Sequence, residues 1–453
     1  MSINKLMDIA NRSLQAYQGA LTATSNNVAN AGNENYSRQR VILTSEAPDK
    51  GTGLDYGSGI NLSGIQRIRD VFIDSQRFVY NSKQASAEKH SNILAKMETL
   101  LSEPSESGLS SLVNSFFNSF EELAADPTSM PLRNNVINTA QRFTDKLDTL
   151  YSGYDSLRLD LRNEAQNYVN DINSYLKQIQ NLNKEIFAAE TRGSSPNELL
   201  DDRTRVLHEL SQIANITVQN NTDGSVSVSI GGIFAVDRLH YLEFGLEEQN
   251  GSLKVVTERD NVAMTLNGGK LHGSTRIYNE IIPDYLSSLD DIANAVMNNV
   301  NAVHSAGFTF TDPPQTNIDF FDSYSNGTLT INQNILDDAS MIAISADGND
   351  GNNDVALQIA AMKDQDLING NSILDTYSAF VNDLANEKLL QDENASSFEL
   401  VINQLEGQTS EISGVSIDEE MVNVLKFQKS FDAAARLVRV ADELMQTLLN
   451  AFG

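Results

Sequence analysis

The chain has 453 residues and a formal net charge of −29 at pH 7, from 61 Asp and Glu against 32 Lys and Arg. A surface this acidic repels nucleic-acid phosphates and anionic lipids, so we expect neither nucleic acid nor a membrane as a partner. The absence of Cys excludes disulfides, thiolate nucleophiles and thiolate metal sites.

The length predicts about three domains, at roughly 150 residues each. We find no run of about 18 apolar residues, so no membrane-spanning helix is predicted. Residues 1–8 lack the apolar core of a signal peptide. Composition leaves two interpretations open: a cytosolic protein, or a protein exported by a route that needs no cleaved leader.

The first thirty residues carry a seam whose members are spaced alternately by four and three positions. Its members are Ile3, Met7, Ala10, Leu14, Tyr17, Leu21, Thr24 and Val28. This 3.5-residue period predicts a helix that packs against a partner helix, as in a coiled coil. We place the helix end at Ala31–Asn33 and predict a Gly-rich, extended segment over residues 32–60.

The last thirty residues carry a second seam of the same kind. Its members are Val424, Gln428, Phe431, Ala435, Val438, Ala441, Met445, Leu448 and Phe452. Ser416 and Glu419 form a capping box that marks the start of this helix. Because an isolated helix needs cover for its apolar stripe, the two ends pair with each other, with other subunits, or with both.

Between the ends, the first half of the chain is mainly helical. Four helices are predicted, at residues 66–102, 110–151, 157–190 and 199–210. The predicted breaks lie near Pro104, at Asp126-Pro127 and Met130-Pro131, and at Gly193–Pro196.

From Ile216 onward the pattern alternates at period two. Strands at 216–218 and 226–230 flank Asp223-Gly224, and strands at 239–244 and 253–256 flank Asn250-Gly251, so two hairpins are predicted.

Pro283 is predicted to open a further helix. Residues 307–352 are rich in Asn, Asp, Thr and Gly and predict a small β-type insertion. Helix returns over about 354–407.

These elements predict a mainly α fold with β subdomains. Long terminal helices would pair as a coiled-coil-like inner rod, beside a helical middle domain and a small β-rich outer lobe. The predicted domains are residues 1–60 with 408–453 for polymerisation; 61–306 with 353–407 for the middle domain, with β-hairpins near 215–265; and 307–352 for the outer insertion.

Two motifs, one near each end, resemble the signatures of flagellar rod, hook and hook-associated axial proteins. The first is Ser25–Asn30 followed by Tyr36–Gln39. The second comprises Val415–Met421, Phe427–Phe431, Ala434–Arg436 and Ala441–Glu443. Asn33-Glu34-Asn35 replaces the Thr-Pro-Gly-like turn of the family, and Asn35 tolerates the left-handed backbone that Gly would adopt there.

The middle of the chain is similar to those hook-associated members that join hook to filament. The matching segments are Pro196–Arg203, Asp223–Val226, Gly231-Gly232, Gly268–Gly273, Ile282-Pro283 and Asn301–His304. Residues 307–352 match no motif of the family, and the chain is shorter than is usual in it.

The resemblance implies a structural subunit of the bacterial flagellum, with no enzymatic activity and no cofactor or metal. The implied partners are the hook protein, the second junction protein (hook-associated protein 3), copies of itself in a helical ring, and a cytoplasmic export chaperone at the C-terminal helix. The implied location is extracellular, at the hook–filament junction, after type III export without a cleaved signal peptide. Alternatives are another axial subunit (hook protein or second junction protein), a secreted wall hydrolase, or an adhesin using residues 307–352.

The resemblance and the seams together select the candidate residues for assembly. Those for packing of the inner rod are Met7, Leu14, Leu21, Phe431, Val438, Met445 and Leu448. Those for polar contacts just past the first seam are Asn26, Asn27, Asn30, Tyr36 and Arg38. For the first set the alternative is an ordinary role in the core of the chain, and for the second it is helix capping and turn formation. We expect both ends to be mobile in the free monomer.

Three features that suggest chemistry are interpreted as structural. His208-Glu209 begins like a zinc-protease helix, but Gln212 stands where the second His belongs. The 32-residue spacing of four His residues is interpreted as coincidence, because their flanking residues differ. A calcium loop starting at Asp347 would place Asn352 where Gly is needed and Gln358 where Glu is needed.

Overall fold

The computed structural model describes residues 3–45 and 57–452. The helices are α1 (Ile3–Ala29), α2 (Val71–Leu101), α3 (Leu109–Ala125), α4 (Met130–Thr191), α5 (Asn197–Ile213), α6 (Gly269–Arg276), α7 (Ile282–His304), α8 (Gln333–Asp337), α9 (Asp354–Ala361), α10 (Ile373–Ser413) and α11 (Ile417–Phe452). The strands are β1 (Gln39–Ser45), β2 (Ile60–Arg67), β3 (Ile216–Asn220), β4 (Val226–Ile230), β5 (Ile233–Asp237), β6 (His240–Tyr241), β7 (Phe244–Gln249), β8 (Ser252–Thr257), β9 (Phe321–Ser325) and β10 (Thr328–Ile331). The predicted fold class, mainly α with β subdomains, is confirmed.

The two terminal helices pair with each other. Asn27, near the end of α1, donates a hydrogen bond of 3.0 Å to Glu420, near the start of α11, so the helices run antiparallel. The fully buried apolar side chains of the two helices are small, among them Ala10 and Ala20 on α1 and Ala441 on α11. Small residues at these positions let the two helix backbones approach closely.

A two-stranded hairpin, β1–β2, covers the other side of α1. A Cβ atom on Gly19 of α1 would lie 2.6 Å from the Leu62 side chain of β2, so a larger residue there would require Leu62 to move. The terminal helix pair and this hairpin together form what we call the terminal unit. The part of the predicted extended segment that covers residues 46–56 lies outside the described residues.

The helical body is built around α4, whose 62 residues form one continuous helix. The predicted break between residues 151 and 157 is wrong. Gly153 lies there against Leu100 of α2, and the fully buried Tyr154 donates a hydrogen bond of 2.9 Å to the Met97 carbonyl. Burial of Tyr154 offsets the roughly 1 kcal/mol that a helical Gly costs.

The helix predicted to open at Pro283 is present as α7, and further helical residues that were not predicted precede it from Gly269 onward. A five-residue π-helical segment, Ile277–Ile281, joins α6 to α7, and Pro283 sits in the first turn of α7. Because Pro lacks the N–H that continues an α-helical ladder, a local widening lets the helix pass through it. Periodicity alone did not reveal this continuity.

Most of the β structure of the body lies between Ile216 and Thr257. Strands β3 to β6 form a four-stranded antiparallel sheet in sequence order, and β7 pairs with β8. Asn250 and Gly251 both have positive φ, 53° and 75°, as a two-residue hairpin turn requires. The strand before this turn is Phe244–Gln249 rather than 239–244, because His240–Tyr241 pairs with β5 instead.

Residues 307–352 contribute to the same hydrophobic core as the body. Phe116 of α3 lies 5.2–6.1 Å, between ring centroids, from five other Phe rings: Phe117, Phe120, Phe143, Phe320 and Phe321. The last two flank the start of β9, so the insertion packs directly on α3. The predicted division into domains stays a prediction.

After the insertion, helix returns in two pieces, α9 and α10, separated by an irregular stretch near residues 365–372. The long α10 packs along α2. Within the described residues, no helix is both long and apolar enough to cross a membrane.

Candidate assembly surface and its joint with the body

Helices α1 and α11 pack together, and most of the predicted inner-packing residues on them are half-buried. Met7, Leu14 and Leu21 of α1 are half-buried, as are Phe431, Val438 and Met445 of α11. Leu448 is 45% exposed.

Helix α11 also exposes large apolar side chains, which we call the α11 stripe. It consists of Ile417, Met421, Val422, Leu425, Leu437, Val440, Leu444, Leu448 and Leu449. Of the 23 exposed large apolar side chains among the described residues, 16 lie on α2, α10 and α11. Exposed apolar patches of this kind mark interaction surfaces.

The polar residues after the first seam form bonds within the chain. The Asn27 side chain is buried. Its Nδ2 donates to the Gln39 carbonyl (2.9 Å) and to Glu420 (3.0 Å), and its Oδ1 accepts from the Gln39 N–H (2.9 Å) and the Tyr36 hydroxyl (2.8 Å). One amide therefore joins α1, the start of β1 and the start of α11.

Arg38 holds the first turn of α11. Its Nη1 lies 2.9 Å from Glu419, and its Nε and Nη2 lie 2.9 and 2.8 Å from Oε1 of Glu420. Its backbone N–H donates to the Ser413 carbonyl at the end of α10 (2.9 Å), and its carbonyl accepts from the Ile68 N–H (2.9 Å). Since residues 68–70 and 414–416 are the two connections from the terminal unit to the body, Arg38 touches both.

Ser37 is bound to the body through α5. Its hydroxyl donates to Asp201 over 2.7 Å and accepts from Arg67 and Arg69, each at 3.2 Å. Arg67 also forms an ion pair of 2.7 Å with Asp201. A buried hydroxyl therefore lies between one carboxylate and two guanidinium groups.

Asn26 and Asn30 close the end of α1. The Asn30 amide donates to the carbonyl and to the side-chain oxygen of Asn26, both at 2.9 Å. The contacts of these two residues are those of a helix end, whereas Asn27, Tyr36 and Arg38 link separate elements.

The contacts of Asn27, Tyr36, Ser37 and Arg38 form what we call the joint between the terminal unit and the body. Burial shifts the pKa of two ionisable groups there. Burial, and then the carboxylates of Asp201, Glu198 and Glu420, raise the pKa of Tyr36 to about 12. Burial lowers the pKa of Arg67 to about 10, although Asp201 opposes that shift. Tyr36 stays neutral and Arg67 stays charged at physiological pH, so both keep their hydrogen-bonding roles.

The family model described as "Flagellar hook-associated protein FlgK helical domain" matches residues 94–321. Flagellar hook-associated protein 1 of Bacillus subtilis is 30% identical, over 99% of this chain and 98% of that protein. The chain belongs to the flagellar hook-associated protein 1 family. It is a structural subunit of the flagellar hook–filament junction.

More distant members of the hook-associated protein 1 family match over the full length. The Escherichia coli protein is 23% identical, over 99% of this chain and all of its own length. That alignment runs over 548 positions, more than the 453 residues here, so the relative carries extra segments. The prediction that this chain is short for its family is therefore confirmed.

The fold and the C-terminal motif agree with the family. The structure of "the flagellar hook junction protein FlgK from Burkholderia pseudomallei" superposes with a TM-score of 0.65 at 14% identity, covering 75% of this chain and 100% of that one. The model described as "Flagellar basal body rod FlgEFG protein C-terminal" matches residues 406–451, the region of the second predicted signature.

Asp201 and Glu420 bind Ser37 and Arg38 at the joint, but no sequence pattern identified either residue. Glu420 is the last of three consecutive acids, Asp418 to Glu420, and nothing in the sequence distinguishes it from its neighbours. Asp201 likewise precedes a second Asp. The only usable signal was that each lies inside a motif of the family.

The features interpreted as structural make ordinary intrachain contacts. His208 packs on Phe78, with ring centroids 4.7 Å apart, and its Nδ1 lies 3.3 Å from the Asn81 amide. Asp347 accepts hydrogen bonds from the backbone and side chain of Asn349, as in an Asx turn. Among the described residues, no group of three or more His, Cys, Asp or Glu side chains is arranged to hold a metal ion.

Proposed function

We propose that the terminal helix pair is the polymerisation element through which this subunit joins hook to filament. The observation that carries the proposal is the α11 stripe: nine large apolar side chains stay exposed on a helix that is already paired with α1. Covering them against neighbouring subunits contributes about 25 cal/mol for each Å² of apolar surface removed from water. Met7, Leu14, Leu21, Phe431, Val438 and Met445 fix the pair that presents this stripe.

The proposed partners are the hook protein on one side, the second junction protein on the other, and copies of this chain around a helical ring. A helical lattice requires that one face of a subunit meet a different face of the next. The chain offers two such faces, the α11 stripe and the exposed apolar residues of α2 and α10, among them Phe72 and Leu400.

We propose that the chain reaches this position by type III export and that a cytoplasmic chaperone covers its C-terminal helix beforehand. Two properties support this. The chain has no Cys and so forms no cross-link that would block passage as an unfolded chain. The α11 stripe would favour aggregation in the cytoplasm unless it were covered.

We propose a purely structural role, without catalysis, nucleic-acid binding or membrane binding. The side chains of Asn27, Ser37 and Arg38 already bind partners within the chain, which supports a structural role. An assay for cell-wall degradation separates the proposal from the secreted-hydrolase alternative, since cleavage by the purified chain would contradict it.

The test is addition of purified protein to cells that build hooks but lack this subunit. We expect the wild type to restore filament growth. The double variant Leu437→Ser, Leu444→Ser should fail, because it makes two positions of the stripe polar. The matched control is Leu159→Ser on α4, since Leu159 is 56% exposed, against 42% and 46% for the other two.

Restored growth by the double variant would contradict the role of the stripe. Failure of the Leu159→Ser control would show that assembly depends on exposed apolar residues in general rather than on α11. Circular dichroism verifies beforehand that all variants keep the wild-type helix content.

A further inference from the structure

The geometry points to Ser37-Arg38-Gln39 as a latch that fixes the orientation of the terminal unit on the helical body, with Asp201 and Glu420 as its two carboxylate anchors. These are positioning residues. The inference rests on the proposed function, because orientation matters if the terminal unit is the element that assembles.

The three latch residues are consecutive, yet each binds a different element. Ser37 binds Asp201 of α5. Arg38 binds Glu419 and Glu420 of α11 and, through its backbone, Ser413 at the end of α10. The backbone of Gln39 is held by Asn27 of α1. Three residues therefore join four helices drawn from both parts of the molecule.

Beside the latch, apolar packing does little to hold the two parts together. A cavity of about 710 Å³ lies there, bounded by the loop 30–38, Arg69 and Arg77 of the body, and the end of α10. Most of its lining residues are polar, including Asn30, Glu406 and Ser410. Because this side lacks apolar cover, charge-assisted hydrogen bonds set the angle between the terminal unit and the body.

The two anchors are buried, whereas the acid next to each one is not. The Asp201 side chain is 10% exposed, and that of Asp202 is 55% exposed. The Glu420 side chain is 3% exposed, and that of Glu419 is 62% exposed. Ion pairs made by buried carboxylates are costly to break, while those of exposed ones contribute little. The chain thus supplies a matched control beside each anchor.

The test measures the distance between two spin labels in the full-length monomer. Because the chain has no Cys, two exposed positions can be changed to Cys and labelled selectively: Ser63 of β2, which lies in the terminal unit but outside the mobile ends, and Glu185 of α4. We expect a single narrow distance distribution for the otherwise wild-type chain. Asp201→Asn and Glu420→Gln should each lose that narrow peak and give a broad distribution.

The controls Asp202→Asn and Glu419→Gln should keep the narrow peak. Ser37→Ala is the milder variant, to be used if a carboxylate variant fails to fold. It removes one hydroxyl and should also broaden the distribution while circular dichroism shows unchanged helix content. A general loss of stability would lower the helix content or the melting temperature, whereas a released latch changes the distance between two intact units.

A narrow, unchanged distribution in the folded Ser37→Ala, Asp201→Asn and Glu420→Gln variants would overturn the latch, and so would equal broadening in the exposed controls. The outcome is independent of the proposed function, because the distance is measured in a monomer. If the stripe variant restored filament growth, the proposed role of the stripe would be wrong but the latch result would be unaffected. Likewise, an unchanged distance distribution would overturn the latch and leave the proposed role of the stripe untouched.

Discussion

The terminal helix pair and the helical body differ in how many of their residues are buried within the chain. The 62 residues of α4 include 20 that are buried, whereas the 36 residues of α11 include three among those described: Glu420, Ala434 and Ala441. The body buries its apolar side chains within the chain, while α11 leaves nine large ones exposed. In the proposed function, this exposed surface is the part that assembly covers.

The two regions also differ in charge. Together, α1 and α11 carry six Lys and Arg against seven Asp and Glu, so the net charge of −29 falls almost entirely on the rest of the chain. An acidic body keeps subunits apart in solution. A nearly neutral terminal pair can still approach a neighbouring copy, so attraction is concentrated where assembly is proposed to occur.

The largest expected effect contrasts a core position with a stripe position. Phe116→Ala should lower the free energy of unfolding by about 3–5 kcal/mol, because it opens a cavity among five Phe rings. Leu444→Ala should change it by no more than about 0.5 kcal/mol, because that side chain is already exposed. Urea unfolding of the monomer measures both, and equal losses would erase the distinction between the two regions.

Acid should weaken the body through its buried histidines. Burial lowers the pKa of His304 to about 4, and its Nε2 accepts the Ala343 N–H over 2.9 Å. Between pH 6.5 and 4 the unfolded chain binds the proton and the folded chain does not. Stability is therefore lost as pH falls, by about 2 kcal/mol for this group at pH 5.

Urea midpoints at pH 7 and pH 5 measure this loss. His304→Gln retains an acceptor and a donor but cannot titrate, so its stability should depend less steeply on pH than that of the wild type. An equally steep dependence in the variant would assign the acid sensitivity to other groups. Burial also lowers the pKa of His90 to about 4 and that of His208 to about 3, so part of the slope should remain.

Hydrogen exchange of the free monomer compares the local stability of the two regions directly. Amides in residues 3–28 and 424–450 should exchange faster than those in the middle of α4, since local opening there exposes little apolar surface. Protection of the terminal helices equal to that of α4 would contradict the expectation that both ends are mobile before assembly.

The smallest expected effect concerns salt. Raising the ionic strength from 20 to 150 mM should increase the rate of filament restoration a few-fold, because it screens repulsion between acidic bodies while the nearly neutral stripe is little affected. A marked decrease would show that ion pairs between subunits, rather than apolar cover, dominate assembly.

Some local signals predicted structure correctly because their physical cause is local. Asn250-Gly251 gave a hairpin turn since these residues tolerate positive φ, and the 3.5-residue seams gave helices with one apolar side. The gap between the predicted helices 110–151 and 157–190 was wrong for the complementary reason. Gly153 weakens a helix by itself, but the burial of Tyr154 offsets that local cost.

The amino-acid sequence by itself determined that both ends are amphipathic helices, that the chain is acidic and free of Cys, and which family its motifs resemble. The tertiary structure alone decided which acid of Asp418-Glu419-Glu420 is buried, that Asp201 rather than Asp202 binds Ser37, and which apolar residues of α11 stay exposed. Burial of a carboxylate depends on a partner brought close by folding, and Arg38 lies 382 positions from Glu420 along the chain. A hydrophobic pattern within one segment cannot predict a contact between residues so far apart in the sequence.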